Sequence, residues 1–205
     1  MKILLTGFEA FGQSNINPSE RVVGRMAEWQ FEEFELETAV LPVDRFRGPE
    51  ALLACVEQSQ PDGVVCLGEA GGRHAISIER VAINLLDFGI ADNDGLIVQD
   101  EKIVADGPDA YFTTLPVRQL KQSLNEANIP AELSLSAGAF LCNQVTYSLL
   151  HYLAQRELAV PAGFVHLPFL PQQVAAQRRP LPSMTLDLMK TAVTVILKTL
   201  CNHLA

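Results

Sequence analysis

The chain has 205 residues, of which 48% are hydrophobic and 19% charged, and its formal net charge at pH 7 is −9. This hydrophobic fraction is enough for a packed core and excludes an intrinsically disordered chain. The acidic balance argues against nucleic acid as a partner, because phosphate contacts need clustered Lys and Arg. The tightest basic group is Arg178-Arg179, which we interpret as part of a solvated loop. No apolar run approaches the roughly 20 residues of a membrane helix, so no membrane partner is expected.

The cysteines and the first residues bear on the cellular compartment. Residues 1–6 are too few for the apolar core of a signal peptide, and they lead into Gly7 without a cleavage pattern. We therefore expect a cytoplasmic protein, in which thiols stay reduced. The four cysteines are Cys55, Cys66, Cys142 and Cys201; they lack CxxC spacing, and no cluster of His, Asp or Glu accompanies them. The sequence thus predicts no bound metal, no redox dithiol and no cofactor.

The first half of the chain alternates strand and helix patterns. Residues 2–6 predict a buried strand, and Asn17-Pro18-Ser19 predicts a helix start, since proline is tolerated in the first helical turn. Residues 34–41 predict a second strand. Asp44 is expected to cap a helix that runs to about Gln58, and the glycine-bounded residues 63–68 predict a central buried strand.

The second half continues the alternation after an irregular middle. Residues 75–85 predict a strand, and Asn93-Asp94-Gly95 predicts the turn of a hairpin-like excursion. The remaining predictions are a helix over 117–127, a strand over 133–136, a helix from about Cys142 to Arg156, a strand over 163–167, a proline-rich loop over 168–182, and a long C-terminal helix capped by Ser183. This order predicts a single-domain α/β/α sandwich over residues 1–205, with a mostly parallel, mixed twisted sheet and helices on both faces.

Three residues attract attention for their chemistry. Cys142 lies where a strand turns through small residues into a helix, and a helix N-terminus stabilises a thiolate and an oxyanion. His166 stands at the carboxyl end of a strand, which is the edge where ligands bind in α/β sheets. Glu79 interrupts an apolar strand and needs a partner if it is buried. The alternatives are a core cysteine, a structural histidine and a solvent-facing glutamate. The local sequence leaves both interpretations of each residue open.

Two short motifs are coincidental. Asp87-Phe88-Gly89 spells the magnesium-binding triplet of protein kinases, but the other kinase motifs are missing. Residues 68–73 (GEAGGR) follow a strand like a phosphate-binding loop, but they lack the Lys-Ser/Thr and the glycine spacing of nucleotide sites. Neither motif indicates nucleotide binding.

Six segments together carry a family resemblance. They are residues 5–12 (LTGFEAFG) with 17–19 (NPS), 68–73 (GEAGGR), 79–84 (ERVAIN), 106–116 (DGPDAYFTTLP), 136–143 (SAGAFLCN) and 163–172 (GFVHLPFLPQ). In this order and spacing they resemble pyroglutamyl peptidase type I, the pyrrolidone carboxyl peptidase family of cysteine exopeptidases. The resemblance implies a thiol protease that removes an N-terminal pyroglutamyl residue from peptides, and a homodimer or homotetramer.

The resemblance also implies roles for individual residues. The catalytic glutamate, cysteine and histidine of the family fall on Glu79, Cys142 and His166. Phenylalanines of the first loop that sandwich the lactam ring fall on Phe8 and Phe11. Phe140 is similar to a pocket position, and Asn17 is a candidate for ordering the first loop or contacting the lactam. Core packing is the alternative role of the three phenylalanines.

The sequence also departs from the family pattern. The family commonly has an arginine where this chain has Gly89, and Gln or Leu where it has Glu69; Ala10 and Gln13 replace Pro and Gly in the first loop. Loss of an oxyanion donor can cost about 2.7–4 kcal/mol, and a carboxylate near the thiol raises the pKa of the cysteine. One alternative is therefore a weakened protein that binds pyroglutamyl peptides. A second is a sugar or phosphate enzyme, because the fold resembles that of nucleoside phosphorylases.

Overall fold

The computed structural model describes residues 1–177 and 180–205, so the expected solvated loop at Arg178-Arg179 lies outside the described residues. Strands and helices alternate along the chain. The strands are β1 (Lys2–Phe8), β2 (Glu35–Leu41), β3 (Gly63–Glu69), β4 (Ile76–Glu79), β5 (Val81–Ile83), β6 (Ala110–Phe112), β7 (Ala131–Ser134) and β8 (Ala162–Leu167). The helices are α1 (Pro18–Ala27), α2 (Arg47–Ser59), α3 (Val117–Glu126), α4 (Leu141–Gln155), α5 (Pro171–Gln177) and α6 (Leu186–Leu204).

The main sheet has six strands in the order β2-β1-β3-β8-β4-β7. The first four run parallel, β4 runs antiparallel to β8, and β7 runs parallel to β4. The mostly parallel, mixed sheet of the prediction is therefore confirmed. A second, two-stranded antiparallel sheet is formed by β5 and β6.

Helices cover both faces of the main sheet and define two apolar cores. On one face, α1, α3 and α6 pack on alternate strand residues such as Leu5, Val65 and Val165. On the other, α2 and α4 pack on the intervening residues, which include Leu4, Cys66 and Phe164. Successive side chains of a strand point to opposite faces, so central strands that are buried on both sides read as unbroken apolar runs. The predicted α/β/α sandwich is confirmed.

The start of α1 follows from its sequence. Asn17 caps the helix by accepting a hydrogen bond from the Ser19 N–H at 2.9 Å, and Pro18 occupies the first turn, as predicted. The cap position of α2 is Phe46, not the predicted Asp44. Asp44 lies three residues before α2 and accepts hydrogen bonds from the Phe46 and Arg47 N–H groups at 2.8 and 2.6 Å, so its side chain caps the turn that leads into the helix.

Three predictions about local structure are wrong. Residues 75–85 do not form one strand: the chain leaves the main sheet at Arg80, and β4 and β5 belong to different sheets. The loop predicted over 168–182 contains α5, whose start is fixed by Gln173 Oε1 accepting the Leu170 N–H at 2.8 Å. Ser183 does not cap α6 but bridges to Phe169; the cap is Thr185, whose Oγ1 accepts the Leu188 N–H.

The hairpin-like excursion is present. Gly95 adopts φ +84°, a conformation that favours glycine, and its N–H donates to the Asp92 carbonyl. An antiparallel bridge between Leu86 and Glu101 closes the excursion. None of the helices in the described part of the chain combines the length and apolar character needed to cross a bilayer.

Candidate active site

A buried glutamate and histidine meet on the face of the main sheet that α2 and α4 cover. The antiparallel register of β4 and β8 pairs Ser77 with His166, so Glu79 is a diagonal neighbour of His166 on the same face. His166 Nδ1 lies 2.7 Å from Glu79 Oε1. The two side chains are only 5% and 1% exposed, respectively. The partner that a buried Glu79 requires is therefore a histidine from the neighbouring strand.

Gly68 places the sulfur of Cys142 beside this pair. Gly68 lies opposite His166 in the parallel register of β3 and β8. A side chain at Gly68 would place its Cβ 3.0 Å from Cys142 Sγ and 2.6 Å from Cζ of Phe164. The missing side chain thus leaves the space that the sulfur and the ring occupy. The Phe164 ring in turn lies 4.8 Å from the His166 ring, centroid to centroid. The structure brings together the three residues that the sequence singled out.

The first turn of α4 presents Cys142 to the sheet. N–H groups in a first helical turn have no carbonyl four residues earlier in the helix to receive them, so they remain available to an anion. The next residue, Asn143, fixes this turn on β5. Its amide accepts the Ile83 N–H at 2.8 Å and donates to the carbonyls of Ile83 and Leu85 at 2.9 and 3.0 Å.

Burial favours a neutral thiol at Cys142 and a neutral imidazole at His166. Burial raises the pKa of Cys142 to about 12, and the charges of Glu79 and Glu69 act in the same direction. Burial lowers the pKa of His166 despite the opposing effect of Glu79. Burial alone would raise the pKa of Glu79, but the interactions of the carboxylate, with His166 first and Arg73 among the others, outweigh burial and lower that pKa. An ionised carboxylate therefore faces a neutral imidazole that is ready to accept a proton.

The predicted ring-binding phenylalanines lie at different depths. Phe8 is buried at the end of β1, and its ring centroid is 6.5 Å from that of Phe164. Phe11 and Phe140 are half-buried, with centroids 6.2 Å apart. A third ring, that of Phe88, makes a T-shaped contact with Phe140, with centroids 4.6 Å apart. Phe11 and Phe140 thus form the accessible part of the aromatic cluster, whereas Phe8 belongs to the core beneath the site.

Asn17 uses its side chain to order the first loop. Its Oδ1 accepts from the Ser19 N–H and hydroxyl at 2.9 and 2.8 Å, and its Nδ2 donates to the Glu9 carbonyl at 2.9 Å. The side chain is buried. These contacts fit the loop-ordering alternative, and a contact with the lactam stays a prediction.

The two departures from the family pattern have different surroundings. Glu69 Oε2 accepts a hydrogen bond of 2.6 Å from Gln173, a buried side chain of α5. Burial raises the pKa of Glu69. Gly89 is exposed, and a Cβ there would meet no atom within 4 Å.

Several residues of the site carry no distinctive signal in the sequence. Arg73 donates to Glu79 Oε1 at 2.7 Å, and the ring of Phe88 packs on Phe140. Asn143 and Gln173 join segments that are distant in the chain. Arg73 and Asn143 lie inside segments that carry the family resemblance, but the sequence assigned neither of them a role. Their partners, like those of Phe88 and Gln173, depend on long-range contacts.

Comparison with known proteins gives one consistent match. The family model described as pyroglutamyl peptidase matches residues 1–203. The chain is 42% identical over 202 residues to the pyrrolidone-carboxylate peptidase of Vibrio parahaemolyticus, covering 98% of this chain and 93% of that protein. It is 44% identical over 200 residues to that of Thermococcus onnurineus, covering 97% and 98%.

Solved structures give the same result. A mutant pyrrolidone carboxyl peptidase from Pyrococcus furiosus matches with a TM-score of 0.97 and 38% identity, covering 100% of both chains. The pyroglutamyl peptidase I from Bacillus amyloliquefaciens matches with a TM-score of 0.95 and 34% identity, covering 99% of this chain and 96% of that chain.

Proposed function

The chain belongs to the pyroglutamyl peptidase family, and from this premise we propose that it hydrolyses the bond after an N-terminal pyroglutamyl residue, with Cys142 as nucleophile. The observation that carries the proposal is the arrangement of Glu79 and His166 as a hydrogen-bonded pair beside Gly68, over which the Cys142 sulfur lies. Thiol acyl transfer requires a nucleophile, a base that activates the nucleophile, and an acidic group that orients the base.

The proposed reaction has two halves. His166 accepts the proton of Cys142, and the thiolate attacks the carbonyl carbon of the pyroglutamyl residue. The tetrahedral oxyanion is stabilised by N–H groups in the first turn of α4. His166 then gives its proton to the departing amine, which leaves a thioester. Water deprotonated by His166 hydrolyses the thioester, releasing pyroglutamate and restoring the thiol. Glu79 keeps the imidazole oriented and stabilises its charged form.

Substrate selection is proposed to depend on the aromatic cluster. Pyroglutamate is a compact, uncharged lactam, so a slot of ring faces with few polar contacts suits it. Phe11 and Phe140, which are half-buried and 6.2 Å apart, are the candidates for contact with the lactam ring. Phe8 packs with Phe164 in the core. The whole chain, residues 1–205, is proposed to form one catalytic domain.

A second candidate function is binding of pyroglutamyl peptides with little turnover. What favours it is the setting of Cys142: burial and the nearby carboxylates Glu79 and Glu69 raise the pKa of the thiol to about 12, which disfavours the reactive thiolate. With Gly89 in place of the arginine common in the family, a slow enzyme or a binding protein is the expected result. Cytoplasmic location and assembly as a dimer or tetramer stay predictions.

Hydrolysis of a fluorogenic pyroglutamyl amide tests the proposal, with the matching prolyl amide as the substrate control. We expect thiol-sensitive release from the pyroglutamyl compound alone. Cys142→Ala should abolish release with the fold retained, whereas Cys55→Ala, which changes a half-buried cysteine of α2, should leave it unchanged. Pyroglutamate binding without release by the folded, reduced protein would favour the binding function. Release that survives Cys142→Ala would contradict the nucleophile assignment.

A further inference from the structure

Arg73 contacts the Glu79–His166 pair from a loop that follows β3. Its Nη1 donates to Glu79 Oε1 at 2.7 Å, the same oxygen that lies 2.7 Å from His166 Nδ1. Among the described residues, the second oxygen of this buried carboxylate has no hydrogen-bond partner. The orientation of the imidazole therefore depends on one oxygen atom that Arg73 helps to hold.

The other arm of the guanidinium reaches the segment before the nucleophile. Arg73 Nη2 donates to the Ser136 carbonyl at 3.0 Å, six residues before Cys142. A planar guanidinium with a fixed fork of donors can bridge two such acceptors, whereas a lysine ammonium is a single point charge. Arg73 thus connects the end of β4 with the loop that leads into α4.

The loop that carries Arg73 is tightly constrained. Gly72 has φ +87°, a conformation that favours glycine. A Cβ at Gly71 would lie 2.1 Å from Cζ of Phe169. The Ala70 N–H donates to the Leu167 carbonyl at 2.9 Å, next to His166. The base of the loop is therefore fixed to the strand that carries the histidine. The arginine side chain itself is 29% exposed, so it borders the site rather than the core.

We propose that Arg73 is a positioning residue for the hydrolysis: it keeps Glu79 ionised and oriented toward His166, and ties this pair to the loop before Cys142. This inference rests on the proposed function. It assigns a role to a residue that touches neither the sulfur nor the imidazole directly in the contacts described above.

The charge of Arg73 acts on all three predicted catalytic groups. It contributes to the lowered pKa of Glu79. It opposes the rise in the pKa of Cys142, and it adds to the fall in the pKa of His166. The other ionisable groups around the cluster are Glu69 at the end of β3 and, across from β4, Glu132, which accepts from the Ser77 hydroxyl at 2.7 Å. Arg73 is the cation that contacts this cluster, through Glu79 Oε1, among the described contacts.

A series of substitutions at position 73 tests this role. Arg73→Met removes the charge, Arg73→Gln keeps hydrogen-bonding capacity without charge, and Arg73→Lys keeps charge without the fork. Arg25→Met, on the exposed side of α1, is the control for loss of one positive charge. The readouts are kcat and KM for the pyroglutamyl amide across pH, and the rate at which iodoacetamide alkylates Cys142, measured peptide by peptide with mass spectrometry.

We expect kcat to fall by one to two orders of magnitude in Arg73→Met, less than the ~10⁴-fold loss known for removal of an orienting acid. Without the guanidinium the pKa values of both His166 and Cys142 rise, so the acid limb of the pH profile of kcat/KM moves to higher pH. Alkylation of Cys142 at pH 7 slows for the same reason. Arg73→Lys should retain the position of the acid limb and recover part of kcat.

Arg73→Gln replaces Arg73→Met if the latter fails to fold, because the comparison of Gln with Lys isolates the charge. Two quantities are compared in a folded Gln or Met variant: the ionisation constant that sets the acid limb, and the alkylation rate of Cys142. If both stay within twofold of their values in the unmodified protein, the proposal is overturned. A lower melting temperature with unchanged limb and alkylation would also overturn it, since this is the result of a purely structural arginine. Absence of hydrolysis in the unmodified protein would refute the proposed function, while the alkylation rates would still test Arg73.

Discussion

At the scale of single residues, Glu69 is a carboxylate close to the thiol of Cys142, which the proposed mechanism requires to ionise. Its carboxylate contributes to the raised pKa of Cys142, after burial and Glu79. Glu69→Gln removes the charge and can keep a hydrogen bond, since the new amide oxygen can accept from Gln173. We expect the pKa of Cys142 to fall, and kcat/KM and alkylation of Cys142 at pH 7 to increase. A fall of half a pKa unit would correspond to about a threefold increase.

The same change should affect stability in a defined direction. Burial raises the pKa of Glu69 above its value in the unfolded chain, so ionisation of this group opposes folding as the pH rises toward neutrality. Glu69→Gln is therefore expected to raise the melting temperature slightly at pH 7. Glu28→Gln, at the exposed end of α1, is the control. Unchanged alkylation with a folded variant would show that the Glu69 charge does not reach the thiol.

Gly89 is the second residue-scale prediction. It is exposed, and a Cβ there would meet no atom within 4 Å, so a side chain can start at this position without a clash. If the chain lacks an electrostatic donor at this position, Gly89→Arg should increase kcat by about tenfold or more, since one oxyanion donor is worth ~10²–10³ in kcat. Gly89→Met supplies similar bulk without charge and should give no increase. An unchanged or lower rate in Gly89→Arg would show that the loop has adapted around the glycine.

At the scale of elements, β3 and α4 meet at Gly68 with no space to spare. A Cβ at this position would lie 2.6 Å from Cζ of Phe164 and 3.0 Å from the sulfur of Cys142. Gly68→Ala must displace one of them. We expect a loss of about 1–3 kcal/mol in the free energy of unfolding, as is typical of overpacking, and a fall in kcat because the sulfur moves relative to His166.

Gly24→Ala provides the matched control for this prediction. Gly24 lies within α1, and a Cβ there meets nothing within 4 Å. Alanine is favoured over glycine in a helix interior by up to about 1 kcal/mol, so this variant should be slightly more stable, with unchanged kcat. Urea unfolding and hydrolysis of the pyroglutamyl amide measure both effects. Full activity in Gly68→Ala would contradict the close packing of sulfur and strand.

The start of α2 gives a prediction on pH. Burial opposes ionisation of Asp44, but the N–H groups of Arg47 and Phe46 and the Arg47 guanidinium outweigh it and lower the pKa of Asp44 from 3.8 to about 2. A lowered carboxyl pKa contributes stability that is present above pH 3.8 and is lost as the pH falls through about 2. Asp44→Ala should cost about 1 kcal/mol at pH 7 through loss of the cap.

Asp44→Asn separates hydrogen bonding from charge at this cap. Asparagine is a good N-cap, so its cost at pH 7 should be smaller than that of Asp44→Ala. The variant should also lose less stability than the unmodified chain as the pH falls from about 4 to 2, because it has no carboxylate to protonate. Thermal unfolding across this pH range measures the difference. Parallel pH profiles for the two proteins would show that Asp44 does not titrate with folding.

At the scale of the whole molecule, the mixed direction of the sheet creates the site. Because β4 runs against β8, the last residue of β4 reaches His166 as a diagonal neighbour, although the two residues are 87 positions apart in the chain. The parallel pairing of β3 with β8 places Gly68 on the other side of the same histidine. The antiparallel strand β4 thus brings the carboxylate to one side of the imidazole. The parallel strand β3 brings the space for the sulfur to the other side.

Much of the architecture follows from local sequence patterns. Central strands such as β1, β3 and β8 read as short apolar runs bounded by turns, because both of their faces are covered by helices. Asn17 and Asp44 mark helix starts because their side chains accept hydrogen bonds from their own neighbours. These signals depend on residues a few positions apart, so the sequence alone contains them.

The wrong predictions share a different physical origin. The break at Arg80 between β4 and β5 depends on α4, because the Asn143 side chain hydrogen-bonds to the backbone N–H and carbonyl of Ile83 in β5. The helix α5 depends on a buried glutamine that joins Leu170 to Glu69. In each case a contact between distant segments overrides the local pattern. Such contacts cannot be predicted from a pattern of neighbouring residues.

The sequence by itself determined the α/β sandwich, the resemblance to the pyroglutamyl peptidase family, and Glu79, Cys142 and His166 as the residues to examine. Only the tertiary structure decided what surrounds them: the shared oxygen between His166 and Arg73, the space over Gly68, and the depth of each phenylalanine. The reason is that residue types and spacings report local chemistry, whereas orientation, burial and pKa are set by atoms that the fold brings in from elsewhere in the chain.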